Sequence, residues 1–249
     1  MILKINLDSE VIMSRLKEII LILKHQYKAN SKLYTSYLRK KGIRIGENTF
    51  FYSPWTITVD ILRPWMVEIG NNVHITAGCT ILQHGKESIV IQEKYGDVIG
   101  SSDKVKIGDN VFIGVKSTIL KGVEIGDNVI IGANTLVNKD CPSNGVYAGN
   151  PVKFIMSLDQ YREKRINEQI EEAKINVVEY YKQYKKFPDI KLMKDYFWIF
   201  TNREEALQED FEVINLKCSS SKDKFNNTQS IYNNYEEFLN NIKIESKLD

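Results

Sequence analysis

The chain has 249 residues, of which 43% are hydrophobic and 27% charged, and its formal net charge is +2. This composition is ordinary for a globular protein, and the small net charge argues against a nucleic-acid partner. The apolar run at residues 19–23 is far shorter than the ~20 residues of a membrane span, so no integral membrane segment is expected; three widely spaced cysteines favour a reducing cytoplasm over a disulfide framework.

Residues 1–40 are predicted to form an N-terminal helical segment, with the helix itself over residues 9–40. Ser9 is a suitable N-cap for this helix. Hydrophobic side chains recur on one of its faces: Ile12, Leu16, Ile19, Leu23 and Tyr27. We expect this face to pack against the domain that follows, although nearby lysines leave a membrane-surface helix as an alternative.

A six-residue period dominates the next segment, residues 41–156. Aliphatic residues recur at this period through Ile107, Ile113, Ile119, Ile125, Ile131 and Val137, and earlier through Ile45, Phe51, Ile57, Ile69, Ile75 and Ile81, with Arg63 as the break. A period of six does not fit an α-helix, and short antiparallel strands, the alternative, would not hold one register through six hexads. The pattern predicts a coil with flat faces. Each hexad supplies a short strand with one inward aliphatic side chain and a corner where glycine or asparagine tolerates positive φ.

The register of the hexads breaks between Ile81 and Ile107, which are 26 residues apart and therefore out of phase. Residues 84–104 are predicted to be an excursion loop that leaves the coil. Binding and catalytic groups often lie on long loops that leave a rigid scaffold, so His84, where the loop begins, is a candidate for catalysis.

Residues 157–249 predict a C-terminal helical extension. Ser157 and Gln160 match a capping box, and helical spacing continues from there towards Pro188, which ends the helix. Residues 191–209 and 230–242 are weaker helical candidates. Residues 219–229 are rich in polar residues and predict a flexible linker.

The stretches VKIGDNVFIGVKSTILKGVEIGDNVIIGANTLVNKD (105–140) and VYAGNPVKFI (146–155) resemble the left-handed parallel β-helix of the hexapeptide-repeat acyltransferases. The resemblance covers roughly residues 38–156, and it is closest to enzymes that acetylate sugars in capsule, lipopolysaccharide and related glycans. It implies a mainly β fold, namely a left-handed parallel β-helix solenoid with an N-terminal helix and a C-terminal helical extension. It also implies an acetyl-CoA-dependent O-acetyltransferase acting on a sugar or polysaccharide precursor, and a homotrimer with active sites between subunits.

Acetylation of a hydroxyl group needs a base, and histidine suits that role at neutral pH. In the resembling family the catalytic histidine follows a T-I-L-x-H stretch, which is TILQH (80–84) here, so the resemblance assigns the base to His84. Many relatives carry aspartate after this histidine, where this chain has Gly85. A backbone carbonyl, Glu87 or Asp60 is therefore expected to orient the imidazole.

The remaining histidines and one cysteine are expected to be structural. His25 falls in the predicted first helix, and His74 precedes the inward-facing Ile75. Cys79 is the alternative nucleophile, but it occupies a small-residue slot of its hexad, which predicts a buried, inert thiol and direct transfer without an acyl-enzyme. The backbone N–H of Gly114 is the expected oxyanion donor.

The resemblance also assigns the residues that contact the two substrates. Those expected to bind acetyl-CoA, along its arm and at its phosphates, are Gly114, Val115, Gly132, Ala133, Asn138, Lys139 and Lys153. Tyr52, Trp55 and Asp60 are expected on the acceptor side, since sugars bind to aromatic platforms with polar edges.

Three other functions stay open at this point. An N-acetyltransferase acting on an amino-sugar nucleotide would share the fold and the cofactor, and a non-catalytic β-helix scaffold is suggested by Gly85. A zinc enzyme of the carbonic anhydrase kind would need three histidine ligands. The chain has three histidines in all and no H-x4-H pair, so no metal is expected.

Overall fold

The computed structural model describes residues 16, 19–20, 23–200 and 219–246. It separates into two compact units, Met1–Tyr161 and Arg162–Asp249, which we call the coil unit and the C-terminal unit. Among the helices in the described residues, none has the length and apolar character needed to cross a membrane.

The predicted helix over residues 9–40 is interrupted. Helical residues extend to residue 25, a 3-10 helix spans Gln26–Lys28, and a separate helix, α1, spans Ser31–Lys41. Gln26 has a φ of 51°, which a continuous helix does not allow, and the side chain of Asn30 caps α1 by accepting a hydrogen bond from the Leu33 N–H. The predicted N-cap, Ser9, lies outside the described residues.

The hexads form three sheets that the chain visits in turn. Sheet A contains β1 (Arg44–Ile45), β4 (Val67–Ile69), β7 (Val105–Ile107) and β10 (Glu124–Ile125). Sheet B contains β2 (Phe50–Phe51), β5 (His74–Ile75), β8 (Val111–Ile113), β11 (Val129–Ile131), β13 (Gly145–Ala148) and β14 (Lys153–Ser157). Sheet C contains β3 (Thr58–Val59), β6 (Thr80–Ile81), β9 (Thr118–Ile119) and β12 (Leu136–Val137). All pairs are parallel except the antiparallel pair β13 and β14. The fold is therefore mainly β, with a parallel three-sheet coil.

The inward side of the coil is the predicted aliphatic column. Ile69, Ile107 and Ile125 are in register across sheet A, and each is at most 2% exposed. Burial of such a column is the main stabilising term for a stack of short strands, since a single turn has no core of its own. The three corners that join the sheets, named A–B, B–C and C–A, position the functional groups described below.

The A–B corner explains the I-G-D-N sequence of the hexads. Asparagine, rather than the glycine before it, adopts positive φ here, as in Asn110 and Asn128 at 55° and 56°. The amide side chains form a ladder, in which Asn110 donates to Asn128 at 2.8 Å. Glycine is needed for another reason, because a Cβ on Gly108 would lie 2.8 Å from the carbonyl carbon of Gly126 in the next turn.

The chain leaves the coil between β6 and β7, at the C–A corner, and this excursion contains a helix, α2 (Ser88–Tyr95), that the sequence did not indicate. The two ends of the excursion are joined to each other. His84 and Ser102 form an antiparallel bridge, and the N–H of Gly85 donates to the carbonyl of Ser101 at 2.9 Å. Every residue of α2 is half-buried or exposed, so the helix adds little to the core of its own chain.

The C-terminal unit is helical. Helix α3 (Leu158–Tyr184) begins at the predicted capping box, in which the Gln160 N–H donates to Ser157 Oγ at 3.1 Å. Over the predicted helix 191–209 the structure has two 3-10 helices, Ile190–Met193 and Phe197–Ile199, and residues 201–209 lie outside the described part. The linker predicted at 219–229 is wrong: α4 spans Ser219–Asn227, with Phe225 and Phe197 5.2 Å apart. Helix α5 spans Tyr235–Ser246.

Candidate active site

An imidazole and a carboxylate meet at the C–A corner. Asp60 follows β3 and His84 follows β6, and these strands are neighbours in sheet C, so two residues 24 apart in sequence lie on adjacent turns. The Nδ1 atom of His84 contacts Oδ2 of Asp60. The two side chains are 23% and 8% exposed, which leaves the imidazole open to solvent while the carboxylate lies behind it.

Asp60 is held as a charged group. Partial burial raises the pKa of its carboxyl, but hydrogen bonds from the Leu62 N–H, from His84 and from the Gln83 N–H outweigh burial and bring the pKa below its usual value. The Leu62 nitrogen lies 3.0 Å from Oδ1. Because both carboxylate oxygens face protein donors, Asp60 is placed to orient His84, one of the two roles predicted for it, and its role on the acceptor side stays a prediction.

Glu87, the other predicted partner of His84, points elsewhere. Its Oε1 accepts hydrogen bonds of 2.5 Å from Ser101 Oγ and from Lys121 Nζ, and these two donors lower the pKa of Glu87 to about 2. The nearest atoms to a Cβ on residue 85 would belong to the carboxylate of Glu87, the end of an exposed side chain that can move aside, so this contact does not require glycine after His84. Lys121 belongs to the next turn of the coil and thus holds both ends of the excursion.

The predicted site residues divide between two corners of one chain. Tyr52, Trp55, Gly114, Val115, Gly132 and Ala133 lie at the B–C corner. Asn138 and Lys139 follow β12 at the C–A corner, which is also the corner of Asp60 and His84, and Lys153 begins β14. The strands of sheet C separate the two corners, so one chain does not bring the two sets together.

The prediction that the Gly114 N–H serves as an oxyanion donor is wrong, because that group donates to the Ile131 carbonyl at 2.8 Å. Residue 114 lacks a side chain because the next turn of the coil lies too close: a Cβ on Gly114 would be 2.5 Å from the backbone nitrogen of Ala133. The expected core thiol is confirmed. Cys79 is fully buried, and burial raises its pKa, which makes it a poor nucleophile.

The aromatic residues at the B–C corner contact the two other histidines. Tyr52 Oη lies 3.1 Å from Nδ1 of His74. The rings of Trp55 and His25 are stacked with their centroids 5.2 Å apart. These contacts fit the structural roles expected for both histidines, and they cover part of the ring that Trp55 was predicted to offer to an acceptor.

Sequence reasoning missed three residues around His84. Lys121 sits in an ordinary hexad, and Leu62 lies in the loop that interrupts the repeat, so neither carries a motif. Gln83 could have been recognised from the sequence, because it lies two residues after the inward-facing Ile81 and so faces the core. Gln83 is fully buried, and its side-chain Nε2 and Oε1 atoms have no hydrogen-bond partner among the described residues.

The part of the chain that the structure describes contains no group of three or more histidine, cysteine, aspartate or glutamate side chains placed to hold a metal ion.

Comparison with known proteins identifies several similar sequences and folds. A family model described as "Hexapeptide repeat of succinyl-transferase" matches residues 104–139, from just before β7 to just after β12. Protein CapG of Staphylococcus aureus is 42% identical over 127 residues, which are 51% of this chain and 73% of CapG. The galactoside O-acetyltransferase of Escherichia coli strain K12 is 33% identical over 127 residues, 51% of this chain and 59% of that enzyme.

Among solved structures, a hexapeptide-repeat-containing acetyltransferase from Vibrio cholerae O1 biovar eltor, complexed with acetyl coenzyme A, aligns with 61% of this chain and 90% of that chain. The sequence identity is 21% and the TM-score is 0.41.

Proposed function

Because the chain belongs to the hexapeptide-repeat acetyltransferase family, we propose that it transfers the acetyl group of acetyl-CoA to a hydroxyl group of a sugar or polysaccharide precursor, with His84 as general base. The observation that carries this proposal is the pair formed by His84 and the charged Asp60 at an exposed corner. The likeness to a galactoside O-acetyltransferase supports a sugar hydroxyl as the acceptor.

Acetyl-CoA supplies the activated acetyl thioester, and the chain supplies the base. His84 contacts Asp60 through Nδ1, so Nε2 is the nitrogen that takes the proton of the acceptor hydroxyl as its oxygen bonds to the acetyl carbon. The same proton then passes to the sulfur that leaves with CoA. Asp60 fixes the tautomer of the ring and stabilises the imidazolium that forms between these two transfers.

The oxyanion donor and the first cofactor contacts are assigned to the B–C corner, and further cofactor contacts to the C–A corner and to the start of β14. Val115 is exposed, and among the described residues its N–H donates no backbone hydrogen bond, so Val115 replaces Gly114 as the proposed donor. Ala133 is exposed on the next turn of the same corner, beside Gly132. Asn138, Lys139 and Lys153 are also exposed and are proposed to bind the pantetheine and phosphate end.

We further propose that the coil is left-handed and that the protein is a homotrimer with active sites between subunits. Two observations support a shared site. The proposed base and the proposed oxyanion donor lie at different corners of one chain, and the excursion that begins at His84 exposes apolar side chains. Ile89, Val90 and Val98 are 62%, 67% and 87% exposed, which is typical of residues that contact another molecule. A cytoplasmic location is proposed because Cys79 and Cys141 are free thiols.

The catalytic proposal is tested by acetyl transfer from acetyl-CoA to a panel of galactosides and other pyranosides. His84→Ala should lower kcat by roughly 10²–10⁴-fold, the usual contribution of a general base, while the control His25→Ala should leave kcat nearly unchanged. The product should be an ester that alkali removes, rather than an amide. Equal rates for the wild type and His84→Ala would contradict the proposal.

The shared site is tested by mixing two inactive variants. His84→Ala removes the base, and Ala133→Trp blocks the proposed cofactor groove at the other corner. If sites form between subunits, refolding the two variants together restores activity well above either parent, because some sites combine an intact His84 with an intact groove. If each site belongs to one chain, the mixture is no more active than its parents.

A further inference from the structure

The position of His84 restricts where an acceptor sugar can bind. Its hydroxyl must come within ~3 Å of the imidazole, so the ring that carries it lies against the C–A corner. Tyr52 and Trp55, the acceptor residues predicted from the sequence, lie at the B–C corner of the same chain. The C–A corner has its own exposed apolar residues, in the loop of residues 60–66, which we call the corner loop.

The corner loop is connected to His84 through Asp60. One oxygen of the Asp60 carboxylate accepts the Leu62 N–H at 3.0 Å, and the other contacts His84 Nδ1. Leu62 and the imidazole are therefore held on opposite sides of a single carboxylate group. The backbone of Leu62 is thus two hydrogen bonds away from the imidazole ring.

The other end of the corner loop meets the segment that follows the excursion. Val67, directly after the loop, pairs with Val105, where the chain re-enters sheet A. The Asp103 N–H donates to the Gln83 carbonyl at 3.0 Å, directly before His84. The corner loop therefore begins at the carboxylate that contacts His84 and ends beside the segment whose Asp103 hydrogen-bonds to Gln83.

The corner loop exposes side chains that water solvates poorly. Leu62 is 59% exposed and Trp65 is 62% exposed, although both follow the partly buried Asp60 within five residues. A pyranose ring presents an apolar face of C–H groups and polar edges, and indole is a good surface for such a face. An exposed tryptophan and leucine in the loop that begins at Asp60 are therefore suited to a sugar ring.

We propose that Leu62 and Trp65 form the wall that binds the acceptor sugar, with its hydroxyl directed to His84; this inference rests on the proposed function. Trp65 offers a more exposed indole than Trp55, which is 40% exposed and stacks on His25, so the wall takes the place of Tyr52 and Trp55 as the acceptor-binding element. It also gives a reason for the corner loop, which interrupts the six-residue repeat at Arg63 and has no role in the core.

Steady-state kinetics with p-nitrophenyl galactosides and acetyl-CoA tests the wall. Trp65→Ala should raise the acceptor KM about tenfold, the loss expected for one aromatic contact and its buried area, and should leave the KM for acetyl-CoA within twofold. Trp65→Phe should recover most of the loss. Trp55→Ala is the matched comparison at the other corner, and it should leave the acceptor KM within twofold.

Three results would overturn the wall: an acceptor KM unchanged in Trp65→Ala, a larger rise in Trp55→Ala, or dissociation of the Trp65→Ala oligomer in light scattering, which would make Trp65 a subunit contact. A variant with Trp55→Phe and Trp198→Phe retains Trp65 as its only tryptophan. Galactoside should quench its fluorescence even without turnover. Quenching without acetylation would support the wall and refute the catalytic proposal, whereas acetylation without quenching or Trp65 dependence would do the reverse.

Discussion

Replacing Asp60 by asparagine removes the negative charge beside His84 and one of two acceptor oxygens, so an amide that keeps its oxygen on His84 turns its nitrogen towards the Leu62 N–H. The amide oxygen can still accept the Nδ1 proton, so the orientation of the ring is retained while the electrostatic stabilisation of the imidazolium is lost. A hydrogen bond to a charged group contributes about 1.5–3 kcal/mol, and the Asp60 side chain is only 8% exposed, so solvent screens the bond weakly. At 1.36 kcal/mol per tenfold, Asp60→Asn should lower kcat by roughly 10–150-fold.

The assay is the initial rate of CoA release, with acetyl-CoA and galactoside saturating, from pH 5 to pH 9. Asp97→Asn is the matched control, because Asp97 is an exposed aspartate in the same excursion. Since the pKa of Asp60 is below its usual value, its carboxylate stays charged in the wild type through the acid range in which histidine titrates. The rate of Asp60→Asn should therefore be lower than that of the wild type at every pH. A kcat within threefold of the wild type across this range would refute the proposed role of Asp60.

Exchanging the charges of Lys121 and Glu87 tests the contact that holds the excursion to the coil. Lys121→Glu and Glu87→Lys should each lower kcat several-fold, and the double variant should recover most of the loss; no recovery would show that the pair does not position His84. Gly108→Ala should lower the free energy of unfolding by about 1–3 kcal/mol, because its Cβ would lie 2.8 Å from a carbonyl carbon of the next turn. Gly100→Ala, which adds a Cβ in open space, should change the free energy of unfolding by less than ~0.5 kcal/mol in urea denaturation. Equal destabilisation by the two substitutions would contradict the steric role of Gly108. Burial raises the pKa of the Cys79 thiol, so it should escape iodoacetamide at pH 8 until the protein unfolds, and peptide mass mapping that finds it labelled in the native protein would disprove burial.

The coil could be predicted because its cause is local and repeated. Each inward aliphatic residue and each corner asparagine performs the same task on successive turns, so a period of six appears directly in the sequence. In the regular part, Asp109 and Asp127 are 18 residues apart and meet on adjacent turns. The excursion was predictable for the same reason, since it is the place where this period fails.

The partner of His84 was harder to identify because the first turns are irregular. Asp60 and His84 meet at a separation of 24 residues, since the corner loop lengthens its turn, and sequence spacing alone did not distinguish Asp60 from Glu87. The prediction of a linker at residues 219–229 was wrong for a different reason. The composition of this segment is that of a linker, but contacts such as the one between Phe225 and Phe197 stabilise a helix that local propensity does not favour.

A regular hexad coil leaves few backbone groups for chemistry. Each turn hydrogen-bonds to the next, and even the glycine N–H groups at the corners are used, as the bond from Gly114 to Ile131 illustrates. Binding and catalysis must therefore use sites where the repeat is interrupted or where a turn is exposed. The C–A corner is interrupted twice, by the corner loop after Asp60 and by the excursion that begins at His84. Those two interruptions lie on adjacent turns, and the imidazole of His84 and the carboxylate of Asp60 meet there because both irregular segments leave the coil at one corner.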